Sequence, residues 1–128
     1  MTHAELYALA EKARGQSYSP YSHFAVGAAL LCSDGTIYTG CNIENAAYSP
    51  TVCAERVAIF KAVSEDRRDF TAIAIAGGPA DEDNPRDDCF PCGVCRQVLS
   101  EFCPPSLEVV TRGGVITLEK LLPHSFKL

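Results

Sequence analysis

No cluster of lysine or arginine occurs anywhere in this 128-residue chain, whose formal net charge is −5. Phosphate backbones and anionic membrane surfaces are bound through clustered cations, so nucleic acid and membranes are excluded as partners. No apolar run is long enough to span a bilayer. The N-terminus carries no basic segment followed by an apolar stretch, so no secretory leader is expected. Internal repeats and linker-like stretches are also missing. A single domain over residues 1–128 is therefore expected, large enough to bury a core. Hydrophobic residues at 47% against 21% charged place it among soluble globular proteins.

What the chain does have is seven cysteines. A secreted disulfide scaffold would pair an even number and follow a leader. An odd count without one points instead to reduced thiols in the cytoplasm, some of them bound to metal.

Two stretches carry those thiols in a telling arrangement: Val-Cys-Ala-Glu-Arg at 52–56, and Cys-Phe-Pro-Cys-Gly-Val-Cys-Arg-Gln at 89–97. Cys92 and Cys95 have the spacing that lets two thiolates reach one ion, and Cys53 can supply a third. Three protein ligands leave a tetrahedral zinc with an open position, the catalytic arrangement. Glu55 stands beside it as a candidate proton carrier for an activated water. Arg56 is placed to offset the negative charge of three thiolates. A closed site of four sulfurs, adding Cys89, is the structural alternative. The stiff Phe90-Pro91 link and the strain of consecutive C-x-x-C steps stand against it.

The remaining pattern reads as alternating helices and strands. Thr2 to Glu5 has capping-box spacing, followed by a helical stripe of Leu6, Leu9, Ala10 and Ala13 that stops at Gly15. Residues 24–32 and 36–43 flank a Ser-Asp-Gly turn and read as a β-hairpin. The first strand is apolar on both faces, so it is central or covered twice. Residues 52–65 form a helix apolar nearly all round, which calls for burial on more than one side and suggests a subunit interface. A third strand spans 70–76, an acidic loop 77–88 carries Asp81, Glu82, Asp83, Asp87 and Asp88, and a helix spans 91–102 with Val94, Val98, Leu99 and Phe102 on one side. Strands at 107–111 and 115–116 and a short helix at 118–122 complete the chain. The expected fold is α/β: a mixed five-stranded sheet in a three-layer α/β/α sandwich. Both cysteine stretches then open helices that follow strands, where ligands bind in open α/β sheets. First-turn side chains lean toward the helix start, so Cys53 and Glu55 can reach one point, and two positive helix ends favour thiolates there.

Cys53-Ala54-Glu55 with Pro91-Cys92-Gly93-Val94-Cys95 resembles the signature of zinc nucleobase and nucleoside deaminases. Cysteine rather than histidine at 53 resembles the small homotetrameric cytidine deaminases. The likeness continues through residues 18–30, the loop Asn42-Ile43-Glu44-Asn45-Ala46-Ala47-Tyr48, and residues 121–126. It implies one Zn²⁺ per subunit on Cys53, Cys92 and Cys95. It implies hydrolytic deamination of cytidine and 2′-deoxycytidine to uridine and 2′-deoxyuridine in pyrimidine salvage, with Glu55 shuttling protons. Asn42 and Glu44 would grip the ribose, Phe24 would lie against the pyrimidine, and the Ala54 N–H would donate to its 2-oxo group. Tyr48 and Phe126 would complete sites across subunit boundaries, and Arg56 would neutralise thiolate charge. Phe90 stands where a small hydroxyl residue is common, a position expected to act through its carbonyl.

Read without that resemblance, each substrate residue has an ordinary role: Phe24 in a core, Asn42 and Glu44 in a turn, Tyr48 and Phe126 in packing. Three other functions share parts of the pattern. A deaminase of a cytosine-containing antibiotic would share the zinc motif, but the Asn-Ile-Glu-Asn loop argues against it. A nucleic-acid editor would share the chemistry, but not the acidic charge. A zinc-stabilised interaction module would draw on Cys89.

Overall fold

The computed structural model describes residues 1–83 and 88–128; Asp87, read as part of the acidic loop, lies outside the described residues. Its elements run α1 (His3–Arg14), β1 (Phe24–Cys32), β2 (Ile37–Cys41), α2 (Ala54–Ser64), β3 (Phe70–Pro79), α3 (Gly93–Phe102), β4 (Glu108–Thr111), β5 (Gly114–Thr117) and α4 (Leu118–Leu121). The five strands form one sheet in the order β2-β1-β3-β4-β5. β3 and β4 are parallel, and every other neighbouring pair is antiparallel.

Alternation along the central strands decides which helix lies where. On β3, Ala72, Ala74 and Ala76 turn to one face and Ile73 and Ile75 to the other. The alanine face admits α1, which presses Leu6 and Ala10 onto it. The larger face receives α2 and α3 through Ala58, Ile59, Ala62 and Leu99. β1 is thus covered on both sides, as its apolar composition requires. The sandwich has the expected three layers, with helices on both faces of a mixed sheet.

Two features bring α2 close to the sheet and anchor α1 beside it. A Cβ built on Gly40 of β2 would lie 2.5 Å from the Ala54 carbonyl oxygen and 2.6 Å from the Ala58 nitrogen. Only glycine lets the first turns of α2 approach that strand. On the other face, the buried Arg14 guanidinium donates to the carbonyls of Ala25 (3.1 Å), Glu82 (3.0 Å) and Pro79 (2.5 Å). It ties the end of α1 to β1 and to the segment leaving β3.

Several boundaries differ from the sequence reading. β3 runs three residues beyond 76, because Phe24, Ala25 and Val26 of β1 pair with Pro79, Gly78 and Gly77. β2 ends at Cys41, and Ile43 makes isolated bridges to Tyr18 and Val52. Val52 therefore belongs to a bridge, and α2 starts two residues later than expected. Val94, expected on the packed side of α3, is exposed. On α2 the chain itself buries Ala54, Glu55, Ala58, Ile59 and Ala62, leaving Phe60 outward.

Candidate metal centre and nucleoside cavity

Cys53 and Cys92 are the N-cap residues of α2 and α3, and neither thiol is spent on a cap hydrogen bond. Both helices follow strands that run the same way, since β2 and β3 are each antiparallel to β1. Their N-termini consequently meet at one edge of the sheet. There the Sγ atoms of Cys53, Cys92 and Cys95 lie within 4.8 Å of one another. Cys53 and Cys92 Sγ are 3.9 Å apart. Three soft, convergent donors with no disulfide among them suit a tetrahedral zinc. Cys89 is outside this group among the described residues, which leaves three thiols rather than four.

The electrostatics prepare Cys53 for ligation. A hydrogen bond from Cys95 is the main influence lowering the Cys53 thiol, and Arg56 adds to it through Nη2, 3.5 Å from Cys53 Sγ. Cys95 is pushed the other way, first by that bond with Cys53 and then by burial. Arg56 also keeps a buried Nε without a hydrogen-bond partner among the described residues. The neighbouring Glu55 is only 4% exposed. Burial pushes its carboxyl up to about 7, and the Cys53 charge adds to that effect. A carboxyl poised near neutrality can both accept and release a proton.

In front of these groups lies a cavity of about 290 Å³. Phe24, Asn42, Glu44, Cys53, Ala54, Glu55 and Cys92 all line it, together with Cys89 and Phe90. A groove of about 380 Å³, lined by Tyr21, Ser22, Glu44, Tyr48 and Thr51, adjoins it and shares Glu44 and Thr51. Tyr48 is largely exposed, packs edge-on against Tyr21 with ring centroids 6.3 Å apart, and holds a φ of 61°. That left-handed conformation is uncommon for a bulky residue. Phe126 is exposed and lines neither space. The fold thus brings every expected site residue together except Phe126, with Arg56 behind Cys53.

Asn42 and Glu44 have partners of their own. Asn42 Oδ1 accepts from Val26 N (2.9 Å) and Ser17 Oγ (2.5 Å), and its Nδ2 donates to Phe24 O (2.8 Å). Glu44 accepts from the N–H groups of Tyr21 (2.9 Å) and Ser22 (3.1 Å) and from the Ser22 hydroxyl. Ser22 holds its carboxylate below the usual range, despite partial desolvation. Sequence reasoning missed Ser17 and Ser22 as supports. Their signal was the density of hydroxyls around Pro20, just ahead of β1.

Residues 1–111 match the family described as the cytidine and deoxycytidylate deaminase zinc-binding region. The chain belongs to that family. It is 54% identical over 127 residues to a cytidine deaminase of Sporosarcina psychrophila, covering 95% of this chain and 89% of that one. A cytidine deaminase of Halalkalibacterium halodurans is 50% identical over 120 residues, covering 90% and 86%. The crystal structure of cytidine deaminase from Burkholderia pseudomallei superposes with a TM-score of 0.88 at 44% identity, covering 98% of this chain and all of that one. With the fold, the metal-binding thiols and these relatives in agreement, the protein is an enzyme of the zinc deaminase class.

Proposed function

We propose that this chain is a cytidine deaminase that hydrolyses cytidine and 2′-deoxycytidine to uridine and 2′-deoxyuridine, with release of ammonia. The observation that carries this reading is a buried carboxyl, poised near neutrality, beside three convergent thiols, two of which, Cys53 and Cys92, border a nucleoside-sized cavity. Cys53, Cys92 and Cys95 would hold the zinc. When bound, the ion supplies the Lewis acidity that makes water nucleophilic at neutral pH.

Each residue then has a task set by its place. Glu55 takes the proton given up as the water oxygen bonds to C4. It passes that proton to ring N3, then takes the proton of the C4 hydroxyl so formed and delivers it to the amine as the C4–N4 bond breaks and ammonia leaves. Arg56, hydrogen-bonded to Cys53 Sγ, offsets thiolate charge that would otherwise weaken the ion's pull. Phe24 lies against the pyrimidine, and the Ala54 N–H at the start of α2 donates to the 2-oxo group. Asn42, through the second N–H of its side-chain amide, and Glu44, through its carboxylate, hold the ribose hydroxyl at the cavity mouth, Glu44 from the junction with the Tyr48 groove.

We read residues 1–128 as one catalytic unit that works as a homotetramer with shared sites. The exposed Phe60, Phe90, Val94 and Phe126 support that assembly as apolar side chains that neighbouring subunits would cover. Phe126, outside its own cavity, would close a neighbour's. Work in the cytoplasm, in pyrimidine salvage, fits seven cysteines without a disulfide. Among the described residues no helix is long and apolar enough to cross a membrane.

The deciding experiment follows the absorbance change as cytidine becomes uridine, before and after treatment with a chelator. Turnover that disappears with the metal and returns with added zinc is expected. Absence of turnover by the zinc-loaded protein would overturn the proposal. Light scattering that finds a fully active monomer would remove the shared-site part alone.

A further inference from the structure

Gly77 interrupts the pattern of β3. Ile73 and Ile75 turn large side chains toward α2 and α3, and the next residue of that row, two positions on, has none. Gly77 is buried and pairs in register with Val26 of β1. A Cβ built on it would lie 2.4 Å from Cys89 Sγ, 3.2 Å from Phe24 Cε2 and 3.3 Å from Val26 Cγ2. Phe24, Val26 and Cys89 all line the cavity, as does Ile75. Three side chains of the cavity wall therefore converge on one bare Cα. The thiol occupies the place that a side chain on β3 would take.

We propose that the contact between Gly77 and Cys89 sets the depth of the substrate cavity, making this pair a determinant of how large a pyrimidine the enzyme accepts. The inference rests on the deaminase reading of that cavity. Gly77 touches no substrate and acts through the wall. Any side chain at 77 drives Cys89 Sγ, and to a lesser extent the Phe24 ring, away from β3 and into a space of about 290 Å³. Close-packed walls have little room to absorb such a shift. The loss should fall on binding of the base, because the thiols and Glu55 stand on other elements and keep their places.

The test uses zinc-loaded protein. Gly77→Ala should raise KM for cytidine by about tenfold, the scale of one misplaced methyl group in a fitted pocket, with kcat and zinc content near wild type. Gly77→Ala with Cys89→Ala should recover most of that loss, because the thiol that was displaced is gone. A merely structural glycine would not be rescued by trimming Cys89. Cys89→Leu fills the same space from the opposite side, so it should also raise KM and provides the test if Gly77→Ala does not fold. A wild-type KM in either single variant, or a double variant no better than Gly77→Ala, overturns the inference. Equilibrium binding of cytidine to Glu55→Gln protein separates this from the reaction itself. Affinity that Gly77→Ala weakens by a similar factor, in an enzyme that fails to turn cytidine over, would sink the activity and keep the wall. Affinity that ignores Gly77→Ala would sink the wall.

Discussion

At the start of α2, Glu55 is 4% exposed and burial pushes its carboxyl up to about 7. At the other end, Arg67 in the turn after the helix donates to Asp34 and Asp69, both at 2.9 Å, and holds Asp34 down to about 2. The first carboxyl lies among groups that are incompletely satisfied, including a buried Arg56 Nε. The second lies in water, where Asp34 and Asp69 share the Arg67 guanidinium and are helped by Thr36 and Ser33. Composition does not separate the two ends, since each holds an arginine close to acids. Solvent does. Where water screens charge, the chain has paired its ions and gained little beyond local order. Where water is excluded, it has kept a proton in play.

The largest effect that would break this contrast is at the buried end. Glu55→Gln keeps the shape of the side chain but cannot carry a proton. Its kcat should fall roughly 10²–10⁴-fold while zinc content and fold persist. Near-normal turnover with full zinc would show that the buried carboxyl is idle. Arg56→Gln should be the next most damaging. Removing a charge-assisted hydrogen bond worth about 1.5–3 kcal/mol to the thiol should lower kcat by roughly tenfold or more. A variant with unchanged kcat and zinc affinity would leave the guanidinium with packing alone.

Stability against pH sharpens the same comparison, with opposite signs at the two ends. In metal-stripped protein, Glu55 has a raised folded pKa, so its contribution is fully present below the unfolded value of about 4.3 and is lost as pH rises through about 7. Glu55→Gln should therefore melt higher than wild type at pH 8, with the gap closing toward pH 4. Melting curves that stay parallel across that range would contradict burial as the cause. At the exposed end the pKa of Asp34 is depressed. Its contribution is present above about 3.9 and is lost as pH falls through about 2. Arg67→Ala should lower the melting temperature slightly at neutral pH and match wild type in strong acid. A difference that does not shrink at all as pH falls from neutrality through 2 would mean that Arg67 acts through packing rather than charge.

Much of this was legible in the chain because local chemistry and tertiary demand agree. Cys53 and Cys92 sit at helix starts, where their spacing had placed them, and the doubly apolar strand 24–32 is covered on both sides. What could not be read was long-range. Nothing in residues 70–79 says that β3 continues to Pro79. The pairing with Phe24 to Val26 extends it, and those partners lie more than fifty residues away in the sequence. Val52 looks helical in its own window, yet the bridge to Ile43 claims it. Cys89, counted as a possible fourth sulfur by spacing, packs instead against a strand that spacing cannot see. Glu44 and Asn42 were visible as polar loop residues, but their partners in 17–22 are brought near by tertiary pairings, the Tyr18–Ile43 bridge among them.

The meeting of two helix starts at one sheet edge also bears on how the chain behaves as a polymer. Cys53 and Cys92 are 39 residues apart in sequence, and the segment between them holds all of α2 and β3. An ion gripped by both closes that segment into a ring, as a disulfide would. On a chain-entropy scale, a closed loop of this length takes about 4 kcal/mol of conformational freedom from the unfolded state. The same three sulfurs that prepare the chemistry thus act as a removable knot. Slow unfolding and resistance to proteases should come and go with the ion, independently of whether any nucleoside is present.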